Sequence, residues 1–390
     1  MRSFLLVCDS LGVGALPDAG RYGESDCHTL DHLVAAAGMP VIPRLIELGL
    51  GCVPGVRSLP RPDRPAGCYG RMAERSPGKD TSTGHWEMLG CPLETEFPVY
   101  AQGFPPAILD PFVARARLPG VLCNAPASGT EVIARLGDEH VRTGKPIVYT
   151  SADSVFQVAA HEQHFGLERL YEVCEIAREI LTPYGVGRVI ARPFVGKPGA
   201  YERTYNRRDY SLVPPRETGL DRLAGAGVPV VGVGKISDIY AGRGVTESIH
   251  TEGNRDGMRA LRERARTLER GLLFVNLVDF DMLYGHRRDA PGYRRALEEF
   301  DRDLVELERE LRPHDAVFVS ADHGNDPTYT RTTDHTREYV PVLAFGPGCR
   351  AGVDLGTRAS FADLGATVEE SLGLVPAGPG RSFWKDVRRT

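Results

Sequence analysis

The chain has 390 residues, above the size at which one hydrophobic core usually stops growing, so two domains are expected. Its 42% hydrophobic content is ordinary for a globular protein, and a net charge of −5 gives no pull toward nucleic acid or an anionic membrane. The longest apolar runs are strand-length, far below the ~20 residues of a spanning helix, and Asp9 interrupts the first of them too early for a signal peptide. A cytoplasmic protein is the expectation. The eight cysteines are scattered without a Cys-x-x-Cys pair and read as small buried hydrophobes in a reducing compartment.

In chain order, an apolar strand over 3–9 is followed by helical stretches near 30–37 and 44–48. A loop rich in proline and arginine covers 57–65. The segment Gly78-Lys79-Asp80-Thr81-Ser82-Thr83-Gly84-His85-Trp86 comes next. Gly78-Lys79 is not a phosphate-binding P-loop, because Ala73 and Asp80 stand where such a loop needs Gly and Ser or Thr. Asp80, Thr81 and Ser82 are N-cap material for a helix. The same geometry suits a nucleophile, since a hydroxyl at a helix N-terminus beside a metal can be deprotonated. Spacing alone leaves Thr81, Ser82 and Thr83 all open for that role.

The middle of the chain reads as separate βα units: a strand at 121–123 and a helix at 130–136, a strand at 147–150 and a helix at 170–181, then a strand at 186–191. His161-Glu162-Gln163-His164 within it reads as an exposed turn or a domain-closure contact. Beyond it, strands near 228–233, 272–278, 316–320 and 340–345 alternate with helices near 257–268, 293–311 and 361–372. The alternation predicts an α/β fold with a mostly parallel sheet flanked by helices.

Three strands end in aspartate: Asp9 after the first, Asp279-Phe280-Asp281 after 272–278, and Asp322 after 316–320. His286, His323 and His335 follow closely. An aspartate after a strand often caps the next helix, but three such ends with three histidines point to a site where side chains leave the sheet and meet. Carboxylates with imidazoles suit Mn²⁺ or Zn²⁺, and two metals are expected. These residues flank 96–211 and skip it. The expected organisation is a discontinuous core of 1–95 and 212–390 with 96–211 inserted as a smaller α/β cap. His28 and His32 stand four apart but lack the glutamate of a zinc-protease helix, and are not expected to be ligands.

Long strings of the chain resemble the phosphopentomutases of the alkaline phosphatase superfamily. They include Cys8-Asp9-Ser10-Leu11-Gly12-Val13-Gly14, residues 79–86, 149–154 and 187–194, Gly234-Lys235-Ile236-Ser237-Asp238, residues 276–289 and both C-terminal Asp-His clusters. The resemblance covers nearly the whole length. It implies an alkaline phosphatase-like core, and Thr81 as the phosphorylated residue. Asp9, Asp322 and His323 with Thr81 would hold one metal, and Asp281, His286 and His335 the other. Manganese is the expected metal, with other divalent ions as substitutes.

The activity implied is isomerisation of α-D-ribose 1-phosphate and D-ribose 5-phosphate, and of the 2-deoxyribose forms, primed by a sugar bisphosphate such as glucose 1,6-bisphosphate. Small pentose phosphates are then the partners. Ser151 and Asp153 resemble residues that meet the sugar. Arg188, Arg192 and Arg207 are candidates to grip the phosphate that is not transferring. Lys235 is another, because only five of the 47 lysines and arginines are lysine. The same core with a different cap would serve another phosphomutase of the superfamily or a metal-dependent phosphomonoesterase, and the strings 149–154 and 187–194 favour the pentose.

Overall fold

The structure is a computed structural model and describes residues 1–150 and 155–389. The chain forms two compact units, one of Met1–Thr95 with Pro214–Thr390 and one of Glu96–Val213. Its strands, in chain order, are β1 (Arg2–Cys8), β2 (Cys68–Met72), β3 (Leu122–Pro126), β4 (Ile147–Thr150), β5 (Val155–His161), β6 (Arg188–Lys197), β7 (Ala200–Arg203), β8 (Arg208–Ser211), β9 (Val230–Val233), β10 (Glu247–Ile249), β11 (Gly271–Leu277), β12 (Ala316–Ser320), β13 (Val340–Phe345) and β14 (Asp354–Arg358).

The first unit is built on an eight-stranded sheet in the order β10-β9-β11-β1-β12-β13-β2-β14. Only β13 runs against its neighbours, being antiparallel to both β12 and β2. Every residue of β1, β11 and β12 is buried, as near-continuous apolar strands require when helices cover both faces of a parallel sheet. The helix Ala290–Glu308 shows how a covering helix is written: Tyr293, Ala296, Leu297, Phe300, Leu304 and Leu307 recur every three or four residues and are buried. Asp289 caps it by accepting from the Gly292 amide at 2.9 Å.

Register decides the rest. Cys8 pairs with Leu277 and Val7 with Ser320 across parallel ladders. The three adjacent strands β11, β1 and β12 therefore end at one level, and extending the register sets Asp9 opposite Asp322. Side chains just beyond these ends are gathered along one edge of the sheet.

The second unit is a mixed sheet in the order β3-β4-β5-β6-β7, with β8 also on β6. The helices Pro106–Arg115, Gly129–Thr143 and Leu167–Leu181 belong to it, and Phe104, Phe112, Phe156, Val158, Val173 and Val189 lie in its larger core. The expectation of repeated βα units needs correcting here. β4 and β5 are antiparallel neighbours, and β6 takes antiparallel partners in β7 and β8. His161 is also buried rather than on an exposed turn, stacked edge-on against Phe194.

Candidate active site

Two groups of ligand-type atoms lie at the strand ends, Asp9 with Asp322 and His323, and Asp281 with His323 and His335; within each, the atoms are within 4.8 Å of one another. His323 belongs to both. Asp9 directly follows β1, Asp322 and His323 lie just past β12, and Asp281 lies in a wide helical turn, Phe280–Gly285, after β11. His335 arrives on the loop before β13, its ring stacked on His323 with centroids 3.9 Å apart.

Each carboxylate is held by one oxygen and offers the other. Asp9 Oδ2 accepts from Asn276 Nδ2 at 2.9 Å, while Oδ1 lies 3.4 Å from His323 Nε2. Asp322 Oδ1 accepts from the Ser10 amide at 3.1 Å, while Oδ2 lies 3.3 Å from His323 Nε2. Asp281 Oδ1 accepts from Asn325 Nδ2 at 2.7 Å, while Oδ2 lies 2.9 Å from His286 Nε2 and 3.5 Å from His335 Nε2. Outer partners that fix one lone pair and aim the other are what metal ligation requires. Ser10 reaches its position with φ of 81°, a left-handed conformation that is costly for serine.

The imidazoles follow the same rule. His323 Nδ1 lies 3.1 Å from the Gly324 carbonyl and His286 Nδ1 lies 2.6 Å from the Thr333 carbonyl. A carbonyl only accepts, so Nδ1 carries the proton in each neutral ring and Nε2 turns a lone pair toward the carboxylates. Burial pushes His323 down to about 4, which keeps it neutral. Asp9 Oδ1 and Asp322 Oδ2 are buried and accept no hydrogen bond. Carboxylate oxygens and an imidazole lone pair converging in this way fit a divalent cation.

Electrostatics separate the two groups. Burial, then Asp322 and Asp281, push the Asp9 carboxyl well above the usual range. Burial acts the same way on Asp281, but His335 and His286 outweigh it and hold that carboxyl well below. His286 is itself raised: burial lowers it, and its hydrogen bond with Asp281 overcomes that. Burial acts on Asp322 too, but His323 and His85 outweigh it and hold that carboxyl below the usual range, so negative charge is least compensated at Asp9.

Thr81 opens the helix Thr81–Met88, and its hydroxyl lies 3.2 Å from His323 Nε2. Asp80 is the N-cap, accepting from the Thr83 amide at 3.1 Å, and it also takes the Thr83 hydroxyl. Thr83 is thereby committed and wholly buried, and Thr81 presents its hydroxyl to the shared histidine. Lys79 ties the same segment down, donating to Glu24 at 2.6 Å and to the His335 carbonyl at 2.7 Å.

Lys235 is exposed just past β9, and its charge is among those that lower Asp9. In the second unit, Arg188 opens β6, Arg192 donates to Gln157 at 3.0 Å, and Arg207 pairs with both oxygens of Asp209 at 2.6 Å. Burial lowers the Arg192 guanidinium, and the positive charges of Arg207 and Arg203 lower it further. Ser151 and Asp153 lie outside the described residues. His28 caps the helix Thr29–Ala37, and His32 pairs with Asp326 at 2.6 Å. Sequence reading gave no role to His85, Asn276 or Asn325, which touch the candidate ligands. Polar type inside an apolar strand was the only signal available for Asn276, in Val275-Asn276-Leu277.

The Metalloenzyme superfamily profile matches residues 1–376. A phosphopentomutase of Symbiobacterium thermophilum is 56% identical over 390 residues, covering 100% of this chain and 99% of its own. One from Anaeromyxobacter dehalogenans is 56% identical over 388 residues, with 100% and 98% covered. One from Deinococcus radiodurans is 54% identical over 393 residues, with both chains covered completely. Among solved structures, a Leishmania mexicana phosphoglycerate mutase aligns with 97% of this chain and 96% of its own at 12% identity and a TM-score of 0.49, too loose a likeness to weigh. On full-length identity of this order, the chain belongs to the phosphopentomutase family of the Metalloenzyme superfamily.

Proposed function

We propose that this chain is an isomerase that interconverts α-D-ribose 1-phosphate and D-ribose 5-phosphate, and the 2-deoxyribose equivalents, through a phosphothreonine at Thr81. The observation that carries this reading is the Thr81 hydroxyl, 3.2 Å from the histidine shared by both ligand groups. Asp9, Asp322 and His323 with Thr81 would hold one divalent cation, and Asp281, His286 and His335 the other; a mixed carboxylate and imidazole set suits Mn²⁺ or Zn²⁺, and the family resemblance favours Mn²⁺. Bound there, such cations lower the pKa of a hydroxyl and neutralise a transferring phosphoryl group.

Phosphorylated Thr81 gives its phosphoryl to the free hydroxyl of a pentose monophosphate. The P–Oγ bond breaks, a P–O bond to the sugar forms, and the sugar's proton ends on the Thr81 oxygen. The bisphosphate so formed then returns its other phosphoryl to Thr81 by the reverse exchange. Atoms balance, and a sugar bisphosphate such as glucose 1,6-bisphosphate primes unphosphorylated protein by the second half-reaction alone. The segment 78–81 is held by the Asp80 cap and by Lys79, which keeps the hydroxyl from drifting between transfers.

We infer that Ser151, Asp153, Arg188, Arg192 and Arg207 in the inserted unit, with Lys235, recognise the sugar and its second phosphate. Arg192 supports this: it lies close enough to Arg207 and Arg203 for their charges to depress it, as in an anion-binding cluster. The eight free cysteines fit a reducing cytoplasm.

Thr81→Ala tests the reading. It should abolish isomerisation of ribose 1-phosphate with Mn²⁺ and remove phosphate from the tryptic peptide of residue 81 after exposure to glucose 1,6-bisphosphate. Ser82→Ala should keep both. Phosphate found on Ser82 or Thr83 by mass spectrometry would refute the assignment.

A further inference from the structure

His85 is wholly buried, touches the candidate ligands, and has no part in the phosphoryl exchange as written. Its ring lies against Phe274, centroids 5.9 Å apart. Its Nδ1 lies 2.9 Å from the Thr81 carbonyl oxygen and 3.2 Å from Asp322 Oδ2. Both are acceptors, so Nδ1 carries the proton and Nε2 is left with a lone pair. That lone pair faces Asn276 Nδ2 at 3.4 Å, and the same amide nitrogen donates to Asp9 Oδ2 at 2.9 Å. An amide nitrogen has two hydrogens, and both have an acceptor here. Asn276 is therefore oriented, and its orientation in turn agrees with the histidine tautomer.

We propose that His85 is a positioning residue. Through a chain of hydrogen bonds, Asp9–Asn276–His85–Thr81, and with its Nδ1 3.2 Å from Asp322 Oδ2, it sets the first turn of the Thr81 helix against two of the three residues, Asp9, Asp322 and His323, assigned to one cation. The inference rests on the phosphothreonine reading and deepens it. It separates two duties that the sequence string Thr81-Ser82-Thr83-Gly84-His85 places side by side: Thr81 exchanges phosphoryl, and His85, one turn on, fixes where that exchange happens. Tyr240 adds a clamp from outside by donating its hydroxyl to the His85 carbonyl.

A ring that only filled space would be replaced best by another bulky apolar side chain. A ring that positions through Nδ1–H would be replaced best by asparagine, whose amide nitrogen falls near the Nδ1 position despite its smaller volume. His85→Leu and His85→Asn therefore pull in opposite directions. Full-length protein is titrated with Mn²⁺, read by calorimetry and by electron paramagnetic resonance, and phosphorylation of Thr81 by glucose 1,6-bisphosphate is followed by mass spectrometry.

His85→Leu should weaken one of two Mn²⁺ equivalents by about 10–100-fold, the usual effect of losing an outer partner, and slow Thr81 phosphorylation with KM little changed. His85→Asn should stand closer to the wild type on both counts. Should the leucine variant not fold, Asn276→Ala breaks the chain at its other link and should weaken the same equivalent. Wild-type Mn²⁺ affinity in His85→Leu or Asn276→Ala, or an asparagine variant that falls as far as leucine, overturns the proposal. If the wild type itself takes no phosphoryl on Thr81, the reading beneath it fails instead.

Discussion

A single glycine shows how closely the Thr81 helix is fitted to the candidate ligands. A Cβ placed on Gly84 would stand 2.0 Å from the backbone oxygen of Asp322. Backbone cannot turn aside as a flexible side chain can, so the helix Thr81–Met88 or the Asp322 loop must move. Gly84→Ala should cost about 1–3 kcal/mol of stability by overpacking and should lower kcat far more than KM, because Thr81 and Asp322 are pushed apart. Urea unfolding and steady-state rates measure both; an alanine variant with native stability and rate would show that the approach is looser than drawn. At this scale the sequence was most legible where residue type is itself the chemistry, as with aspartates at strand ends and the histidines behind them. It was silent on His85 and Asn276, because their part depends on which atom points where. It also could not choose among Thr81, Ser82 and Thr83, a choice that turns on Thr83 giving its hydroxyl to Asp80.

Elements were legible in proportion to their burial. β1, β11 and β12 are near-continuous apolar runs and could be read directly, whereas β14 carries a bulge and lies at the sheet edge, and β10 has only three residues. The helix Pro106–Arg115 starts at a proline and contains another, which hides its period. In the second unit, the helix Gly129–Thr143 is joined to the sheet through His140, and this junction carries a pH signature. His140 Nδ1 lies 2.7 Å from the Lys145 carbonyl and donates to it, and Nε2 accepts from the His161 amide at 2.9 Å. Both nitrogens are used only by the neutral ring. Burial lowers its pKa, with His161 and His164 adding to the shift while the Lys145 hydrogen bond opposes it. The folded state thus binds fewer protons than the unfolded one. The contribution to stability is full above the unfolded value of about 6.5 and is lost as pH falls through the lowered folded value. His140→Leu should remove part of this acid sensitivity and, by leaving a buried amide and carbonyl unpaired, cost about 1–3 kcal/mol at pH 8. Urea midpoints between pH 5 and 8 would report it, and identical pH slopes for variant and wild type would rule it out.

At the scale of the whole molecule, every candidate ligand and the candidate nucleophile lie in the first unit, while Ser151, Asp153 and the candidate arginines 188, 192 and 207 lie in the second. The first unit is also tied together where the chain leaves and re-enters it. Arg216 donates to the Pro92 carbonyl at 2.9 Å and pairs with Glu94 at 3.5 Å, Arg243 donates to the Pro214 carbonyl at 2.8 Å, and the Gly219 amide bonds the Leu89 carbonyl at 2.6 Å. A short glycine-serine linker can therefore replace residues 96–213 without pulling β9 or the Thr81 helix from its place. The shortened protein should bind two Mn²⁺ and accept phosphoryl on Thr81, because Asp9, Asp281, His286, Asp322, His323 and His335 remain. It should not isomerise ribose 1-phosphate, since the groups assigned to the sugar and its second phosphate are gone. Water should then take the phosphoryl in place of a sugar hydroxyl, so phosphate release should rise where isomerisation disappears. Parallel assays of ribose 5-phosphate formation and inorganic phosphate decide the matter. Isomerisation surviving in the shortened protein would place sugar recognition in the first unit and leave the second without the part given to it here.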